Sequence, residues 1–273
     1  LPRGGALIGA AALELGLEPE RIASVNDPAY QESLKLRRPD LILVVSFGQI
    51  LRAPLLALPP KGCVNIHASL LPRYRGASPI TQCILNRDAE TGVCFMTMER
   101  GLDTGAVYET ITVPLDHSEY ASELEFKLGS IAAEAAPGIL GSICSGELVP
   151  VPQDSVEATV CTKIRKADGL IRWTGSAHEI EAMVRAYCPW PGAFASVRTP
   201  KGVESVTLIR VNCRRELSGR PGQVLRADKY GLVVACGKGA IEILELAPPG
   251  RRSMSAVAYL NGLRGEIPEF LPQ

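Results

Sequence analysis

The pattern of the chain changes near residue 150, and this change constrains the fold more than any other feature of the sequence. Before it, apolar runs such as LILVVSF and GCVNI alternate with helix-like segments such as PAYQESLKLRR. Such alternation predicts a parallel or mixed α/β sheet. After the proline-rich stretch GELVPVPQDSVEATV, short β segments with glycine turns follow one another, which is typical of a small β-barrel. We therefore expect domains over 1–150 and 166–273, joined by a linker over 151–165.

Shorter patterns within the first domain predict its other elements. ALIGAAALELGLE indicates a helix that ends near Gly16, RIASV a short strand, and ASPITQCILN a further helix. The helix over PAYQESLKLRR should stop before Pro39, because a residue that precedes proline avoids the α region. TGVCFMTM and AVYETITVPL predict two strands on either side of the loop GLDTG.

Polar side chains at the end of GCVNI begin the most informative motif, NIHASLLPRYRG. Asn65 and His67 are two residues apart, so their side chains point to the same face of an extended segment. Open α/β sheets bind their ligands at the carboxyl ends of the strands. We expect the strand TGVCFMTM to deliver Asp103 of GLDTG to that end, at or near hydrogen-bond distance from His67.

The chemistry of these three side chains suits acyl transfer. A carboxamide and an imidazolium can donate hydrogen bonds to an oxygen that gains negative charge, and a carboxylate can hold the imidazole and move a proton. The chain has no G-x-S-x-G segment, so the nucleophile should belong to a substrate. The alternative is structural, with His67 capping a strand, Asn65 in a turn and Asp103 in an Asx-turn.

NIHASLLPRYRGASPI and GLDTG resemble the hallmark of the folate-dependent formyltransferases, which is an Asn-x-His pair, a Ser-Leu-Leu-Pro run ending in Arg-Gly, and a later Asp. The matching positions are Asn65, His67, Ser69 to Pro72, Arg75 to Gly76, and Asp103. Farther on, IRWTGSAHEIEAMVRAYCPWPGAFA looks like the start of the second domain of the methionyl-tRNA formyltransferases. The resemblance covers nearly the whole chain. It implies an α/β fold with a Rossmann-like formyltransferase domain, truncated at its amino end, followed by a small OB-like β-barrel.

The resemblance implies transfer of the formyl group of 10-formyltetrahydrofolate to the α-amine of methionyl initiator tRNA, which supports translation initiation. In the roles that the family implies, His67 and Asn65 stabilise the oxyanion, and Asp103 supports His67 and assists proton transfer. The resemblance also places folate along two segments, in part through main-chain groups. Their residues are Phe47, Gly48, Gln49, Ile50, Leu51, Ser69, Leu70, Leu71 and Pro72. Core packing is the alternative for the side chains of Phe47 and Leu51.

Charge divides the chain in a way that its net charge of zero hides. Residues 1–150 carry 12 Lys and Arg and 17 Asp and Glu (12 − 17 = −5), whereas residues 151–273 carry 17 and 12 (17 − 12 = +5). A basic β-barrel suits a polyanion, here RNA. The candidate phosphate contacts are Lys163, Arg165, Lys166, Arg214, Arg215, Arg251 and Arg252. Solvated surface charge is the alternative for each of these clusters.

The amino terminus departs from the family pattern. The chain opens LPRGGALIG, without Met or the apolar core of a signal peptide, and the resemblance implies that about fifty residues precede this point in the family. Arg3 matches the end of a loop that reaches the tRNA acceptor stem, so we add it to the RNA-binding candidates. The basic residues expected after it are replaced by Gly5 and Ala6.

The remaining expectations concern the class of protein. No run approaches 18 uncharged apolar residues, so we expect no membrane span. The eight Cys lack a C-x-x-C pair, which indicates reduced thiols and no metal cofactor. We expect a cytoplasmic monomer. Two other functions remain open, an amino-sugar nucleotide formyltransferase and a truncated, noncatalytic RNA-binding remnant. A glycinamide ribonucleotide formyltransferase fits less well because it lacks the β-barrel.

Overall fold

A computed structural model describes the chain over residues 4–200 and 202–271. The region up to residue 145 alternates helices and strands, as the sequence predicts. Its elements are α1 Gly4–Glu14, α2 Pro28–Arg37, β1 Ile42–Val45, α3 Ala53–Leu56, β2 Cys63–His67, β3 Arg75–Gly76, α4 Pro79–Leu85, β4 Glu90–Thr97, β5 Val107–Pro114 and α5 Ala121–Ser145.

The main sheet of this region has the strand order β1-β2-β4-β5. β1 and β2 run parallel, whereas β2 with β4 and β4 with β5 run antiparallel, so the sheet is mixed. β2 lies inside the sheet, with Asn65 between Val44 of β1 and Met96 of β4. This position fixes the backbone of β2 on both sides and therefore fixes the direction of its side chains.

The two faces of the sheet are covered by different layers. On one face Val64 and Phe95 pack with Ile143 of α5. On the other, Val44 and Cys63 pack in a cluster that includes Leu55 of α3. Since alternate residues of a strand point to opposite faces, Asn65 and His67 share the face of Cys63.

Helix α5 is long and apolar enough to cross a membrane by length and composition alone, with a mean hydropathy of 1.2, and it is the one such helix within the described residues. Leu124 and Leu128 on this helix are buried in the same cluster as Cys83 and Ile84 of α4. One stripe of α5 thus packs against the first domain, as expected of a helix that covers a sheet.

Helix α2 begins and ends where the sequence predicts. The Asp27 side chain accepts hydrogen bonds from the N–H groups of Ala29 and Tyr30, which satisfies two of the free donors of the first turn. The helix ends at Arg37, and Arg38 takes the left-handed conformation (φ 49°) just before Pro39.

The predicted strand over RIASV is wrong, because residues 21–25 form no strand. Side chains replace the strand partners of this segment. The N–H of Val25 donates to Oε1 of Gln49 at 3.0 Å, and Nε2 of Gln31 donates to the carbonyl oxygen of Val25 at 3.3 Å. Once a backbone donor and a backbone acceptor are satisfied by side chains, the segment does not require a neighbouring strand.

The segment after α5 lies against the first region. Val107 and Val151 exchange two backbone hydrogen bonds of 2.8 Å, and β6 (Val160–Cys161) pairs in parallel with β3. The stretch predicted as a linker is therefore ordered by contacts with β5 and with the loop that follows His67.

The second region is dominated by antiparallel strands that curl into a nearly closed barrel, which confirms the predicted fold class. Its elements are α6 Ala177–Ala186, β7 Ala193–Thr199, β8 Gly202–Arg214, β9 Val224–Asp228, β10 Gly231–Ala235, β11 Ala240–Ala247, β12 Met254–Ser255, α7 Ala256–Gly262 and β13 Glu269–Phe270. The strand order is β13-β7-β8-β11-β10-β9, with β12 paired to β11. Its main core cluster contains Trp173, which meets Phe270 edge to face at 5.2 Å. Helix α6 also packs on the first region, where Ala186 is buried with Cys83 and Ile84 of α4.

Candidate active site

His67 is held by a backbone carbonyl group. Its Nε2–H donates to the carbonyl oxygen of Tyr74 at 2.9 Å, and the residue is only 5% exposed. A carbonyl oxygen can only accept, so Nε2 must carry a proton, and the neutral ring presents the lone pair of Nδ1 to the site. Nδ1 is therefore the ring nitrogen that can take up and release a proton.

The carboxylate of Asp103 faces that nitrogen. Its Oδ2 lies 3.7 Å from Nδ1 of His67 and accepts a hydrogen bond of 2.8 Å from the N–H of Gly76. The Asp103 side chain is only 17% exposed, so solvent screens its attraction to an imidazolium less than at an open surface. This arrangement can hold the imidazole ring and stabilise its protonated form.

Asp103 reaches His67 by a route that the sequence does not predict. β4 runs antiparallel to β2, with His67 opposite Cys94 and Val64 opposite Thr97. The carboxyl end of β4 thus lies beside the amino end of β2, away from His67. The loop between β4 and β5 bends back towards His67. At its base the N–H of Thr97 donates a hydrogen bond of 2.8 Å to the carbonyl oxygen of Ala106. The expected proximity is observed, but the loop, not the strand direction, produces it.

Asn65 completes the group on the same face of β2. Within the part of the chain that the structure describes, its side-chain amide makes no hydrogen bond, and the residue is half-buried. A free amide beside the imidazole can donate to an oxygen that gains negative charge. The structure therefore brings the three predicted catalytic candidates, Asn65, His67 and Asp103, to one side of the sheet.

Two residues that were not among the predicted site residues, Gly76 and Gln153, hold Asp103. Gly76 has a φ of 121°, and a Cβ there would lie 2.1 Å from the carbonyl oxygen of Cys161, so only glycine fits. The Arg-Gly pair of the motif could have indicated this position. Gln153 contacts both Arg75 and the backbone of Asp103, but it lies in the proline-rich stretch, where no local pattern marks it.

The first predicted folate segment, which follows β1, is divided between surface and core. Phe47, Gly48 and Ile50 are exposed, whereas Leu51 is 6% exposed and packs with Val44. The side chain of Leu51 thus takes the core-packing alternative. The side chain of Gln49 is bound to the backbone of Val25 and Ala23.

The second folate segment, Ser69 to Pro72, follows β2 directly. Ser69 is fully buried, and its hydroxyl donates to the carbonyl oxygen of Arg73 at 2.7 Å, so it closes the loop. Leu70 is half-buried, and Leu71 and Pro72 line a cleft of about 360 Å³ with residues of β5 and the segment 151–154. A larger cavity of about 560 Å³ near α6 is lined by none of the predicted site residues.

The basic RNA-binding candidates are scattered over the second region, and Arg3 lies outside the described residues. Lys163, Arg165 and Lys166 are exposed, with Arg165 paired to Asp168 at 3.3 Å. Arg214 is half-buried and forms an ion pair with Glu242, which offsets part of its charge. The exposed candidates without an ion pair among the described residues are Lys163, Lys166, Arg215, Arg251 and Arg252.

The described residues contain no group of three or more His, Cys, Asp or Glu placed to hold a metal ion. The buried thiols have raised pKa values, since burial disfavours the thiolate. Burial raises the pKa of Cys63 to about 11 and that of Cys236 to about 12. These cysteines are therefore poor nucleophiles and poor metal ligands as they stand.

Comparison with known families accounts for both halves of the chain. The model described as formyl transferase matches residues 13–140, and the model described as formyl transferase, C-terminal domain, matches residues 163–264. With the mixed α/β sheet, the barrel and the Asn65–His67–Asp103 group, these matches define a two-domain formyltransferase.

Similar proteins of known name identify the family within the formyltransferases. The chain is 39% identical over 242 residues to the methionyl-tRNA formyltransferase of Geobacter sulfurreducens, which covers 89% of this chain and 75% of that relative. The chain belongs to the methionyl-tRNA formyltransferase family.

Solved structures support the fold. Methionyl-tRNA formyltransferase from Clostridium thermocellum superposes with a TM-score of 0.60 at 20% identity, covering 79% of this chain and 92% of that chain. HypX from Aquifex aeolicus, crystallised in complex with tetrahydrofolic acid, gives a TM-score of 0.65 at 19% identity. The match covers 87% of this chain and 41% of HypX. At such identities these structures show only that the fold is shared.

Proposed function

We propose that the protein transfers a formyl group from 10-formyltetrahydrofolate to the α-amine of methionyl initiator tRNA. Family membership supports this pair of substrates. The observation that carries the chemistry is the arrangement of three side chains. Nε2 of His67 is committed to Tyr74, and Nδ1 faces Asp103. The amide of Asn65, which bonds to none of the described residues, lies on the same face.

The reaction begins with attack of the amine nitrogen on the formyl carbon. The formyl oxygen becomes an oxyanion, and the amide of Asn65 donates a hydrogen bond to it. Nε2–H of His67 stays on Tyr74, so His67 donates to the oxyanion through the proton that it takes up at Nδ1. Asp103 keeps the imidazole ring in place and takes part in moving the proton that the amine loses. The bond between the formyl carbon and N10 then breaks, N10 is protonated, and the products are the formylated aminoacyl-tRNA and tetrahydrofolate.

The folate should lie along the two segments that flank the catalytic face. The backbone of Phe47 to Leu51 offers donors and acceptors for a pterin ring, and the exposed ring of Phe47 offers an apolar contact. The backbone of Ser69 to Pro72 runs directly from His67, so a ligand held there places its reacting carbon near Nδ1. Because the Ser69 hydroxyl is already bonded, that residue contributes backbone and not side-chain contacts.

The second region should bind the tRNA through phosphate contacts. Exposed cations without acidic partners are the strongest candidates, since an existing ion pair must be weakened before a phosphate can bind. We therefore rank Arg215, Arg251 and Arg252 above Arg214.

We also propose the remaining properties of the chain. It acts as a cytoplasmic monomer, with no membrane partner and no metal cofactor. Its catalytic domain spans 1–150, its linker 151–165 and its tRNA-binding domain 166–273.

Transfer of labelled formyl from 10-formyltetrahydrofolate to charged initiator tRNA tests this function. We expect turnover that depends on tRNA and is lost on substituting His67→Ala. Transfer to an amino-sugar nucleotide, with none to tRNA, would instead support a sugar formyltransferase. Salt-dependent tRNA binding without any transfer would support the noncatalytic RNA-binding remnant.

A further inference from the structure

The segment from Val151 to Thr162, which leads from the first domain to the second, is fastened to the loops that carry the catalytic face. Thr159 holds the stretch that ends in Arg75 through three bonds. Its Oγ1 accepts a hydrogen bond from the N–H of Tyr74 at 2.8 Å. Its carbonyl oxygen accepts from the N–H of Arg75 at 2.9 Å, and its own N–H donates to the carbonyl oxygen of Pro72 at 3.3 Å. The segment thus braces the carbonyl of Tyr74, which binds Nε2 of His67.

Gln153 in this segment joins the two loops of the site through its side chain. Its Oε1 accepts two hydrogen bonds from Arg75, from Nε at 2.9 Å and from Nη2 at 2.8 Å. Its Nε2 donates to the carbonyl oxygens of Asp103 at 2.9 Å and of Gly105 at 2.7 Å. Both donors and both acceptor positions of the amide are used, so its orientation is fixed.

The loop that Gln153 holds needs external support. Asp103 has a left-handed backbone (φ 52°), a conformation that costs energy for a residue with a side chain and persists only where its surroundings impose it. Among the described residues, the carboxylate of Asp103 accepts one hydrogen bond, from the N–H of Gly76. Gln153 therefore supplies two of the contacts that keep the loop bent back over β2.

The contact between Gln153 and Arg75 explains why position 153 requires an amide side chain. Arg75 is 8% exposed, and no carboxylate of the described residues lies within 4.0 Å of its guanidinium. A carboxylate at position 153 would satisfy this buried cation better, since charge-assisted bonds are stronger. It could not donate to the carbonyl oxygens of Asp103 and Gly105. Only an amide can accept from Arg75 and also donate to the carbonyl oxygens of Asp103 and Gly105.

We propose that Gln153 is a positioning residue that holds the Asp103 carboxylate against Nδ1 of His67. This inference rests on the proposed function, because it assigns Gln153 to the same reaction. Gln153 does not touch the reacting atoms. It acts through the backbone of Asp103, and Arg75 anchors it to the loop that follows His67.

Two substitutions separate this role from support of Arg75. Gln153→Ala removes both sets of bonds, whereas Gln153→Glu keeps the acceptor for Arg75 and removes the donor to the loop. We expect both to lower kcat by about 100-fold, the typical cost of misplacing a catalytic group by about 1 Å, with KM for folate and tRNA changed by less than about threefold. Gln82→Ala is the control, because that side chain donates to Asn86 at the end of its own helix. Restoration of kcat by Gln153→Glu would overturn the proposal.

A double-mutant cycle tests whether Gln153 acts through Asp103. In an Asp103→Asn background, Gln153→Glu should reduce kcat by less than about threefold, since the group it positions is already lost. A merely structural contribution would add to the loss, and a further reduction of about 100-fold would therefore contradict the proposal.

Amide hydrogen exchange gives a readout that does not depend on activity. We expect the Gly76 amide, which donates to the Asp103 carboxylate, to exchange on the order of tenfold faster in Gln153→Glu and unchanged in Gln82→Ala. If the parent chain transfers no formyl group, the proposed function fails and this measurement still decides the positioning role. Unchanged exchange at Gly76 would overturn that role.

Discussion

The proposed catalytic face of the first domain and the basic surface of the second hold their polar groups in opposite ways. His67 is buried and Asp103 is half-buried, and each is bound to a backbone group. Nδ1 of His67 and Oδ2 of Asp103 lie 3.7 Å apart. Arg215, Arg251 and Arg252 are exposed and make no ion pair among the described residues. Oxyanion stabilisation requires a fixed geometry, whereas phosphate binding requires mainly charge. Substitutions should therefore act steeply on the first surface and in small, additive steps on the second.

The largest effect should follow from damage to the barrel core. Phe270 is 2% exposed and packs edge to face on Trp173, so Phe270→Ala should lower the free energy of unfolding of the barrel by about 3–5 kcal/mol. Because the buried cluster of Phe270 and Trp173 contains none of Asn65, His67 and Asp103, transfer to a small amine in place of tRNA should persist. Thermal unfolding, the rate of formyl transfer to tRNA and the rate of transfer to the small amine, all measured on the same preparations, check this. Equal loss of both rates would show that the first domain depends on the barrel.

Removal of an oxyanion donor should have the next largest effect. His67→Ala and Asn65→Ala should each lower kcat on the order of 100-fold to 1,000-fold, because each removes one hydrogen bond that forms fully only in the transition state. Folate binding, measured by fluorescence or calorimetry, should be nearly unchanged. Equal turnover of His67→Ala and the parent at saturating substrate would remove His67 from the reaction.

Loss of positive charge on the barrel should act more gently. Neutralising Arg214, Arg215, Arg251 and Arg252 to Gln should reduce the slope of log affinity for tRNA against log salt by roughly one unit per lost contact. Arg214 should contribute least, since it already pairs with Glu242. Lys35→Gln is a matched control, because Lys35 pairs with Glu32 on the surface of the first domain. An unchanged slope would place the tRNA elsewhere.

The smallest effect should come from His178, which lies near the proposed phosphate-binding Arg215. Burial, followed by the positive charges of Arg215 and Arg87, lowers the pKa of His178. A phosphate bound by Arg215 would favour the imidazolium, so the pKa of His178 should rise on tRNA binding. Affinity should then increase as pH falls, by at most about tenfold for each pH unit. A ring titration of His178 by NMR with and without tRNA checks this, and identical curves would separate His178 and Arg215 from the RNA.

The sequence predicted well whatever depends on neighbours along the chain. The alternation of β2 placed Asn65 and His67 on one face, and Pro39 marked the end of α2. It failed at RIASV, where a strand required a partner and the structure supplies Gln49 and Gln31 instead. The difference is physical, since helix caps are local hydrogen bonds, whereas a strand is defined by a distant segment.

By itself, the sequence determined the two-domain pattern, the residue types of the proposed catalytic group and the family motif that contains Asn65 and His67. Only the tertiary structure decided how Asp103 reaches His67, because the antiparallel direction of β4 requires the following loop to bend back. It alone revealed Gln153, which lies 50 residues from Asp103 along the chain. A hydrogen bond depends on how close two groups lie in space. No periodic sequence pattern links two residues that are 50 positions apart, so the sequence could not predict this contact.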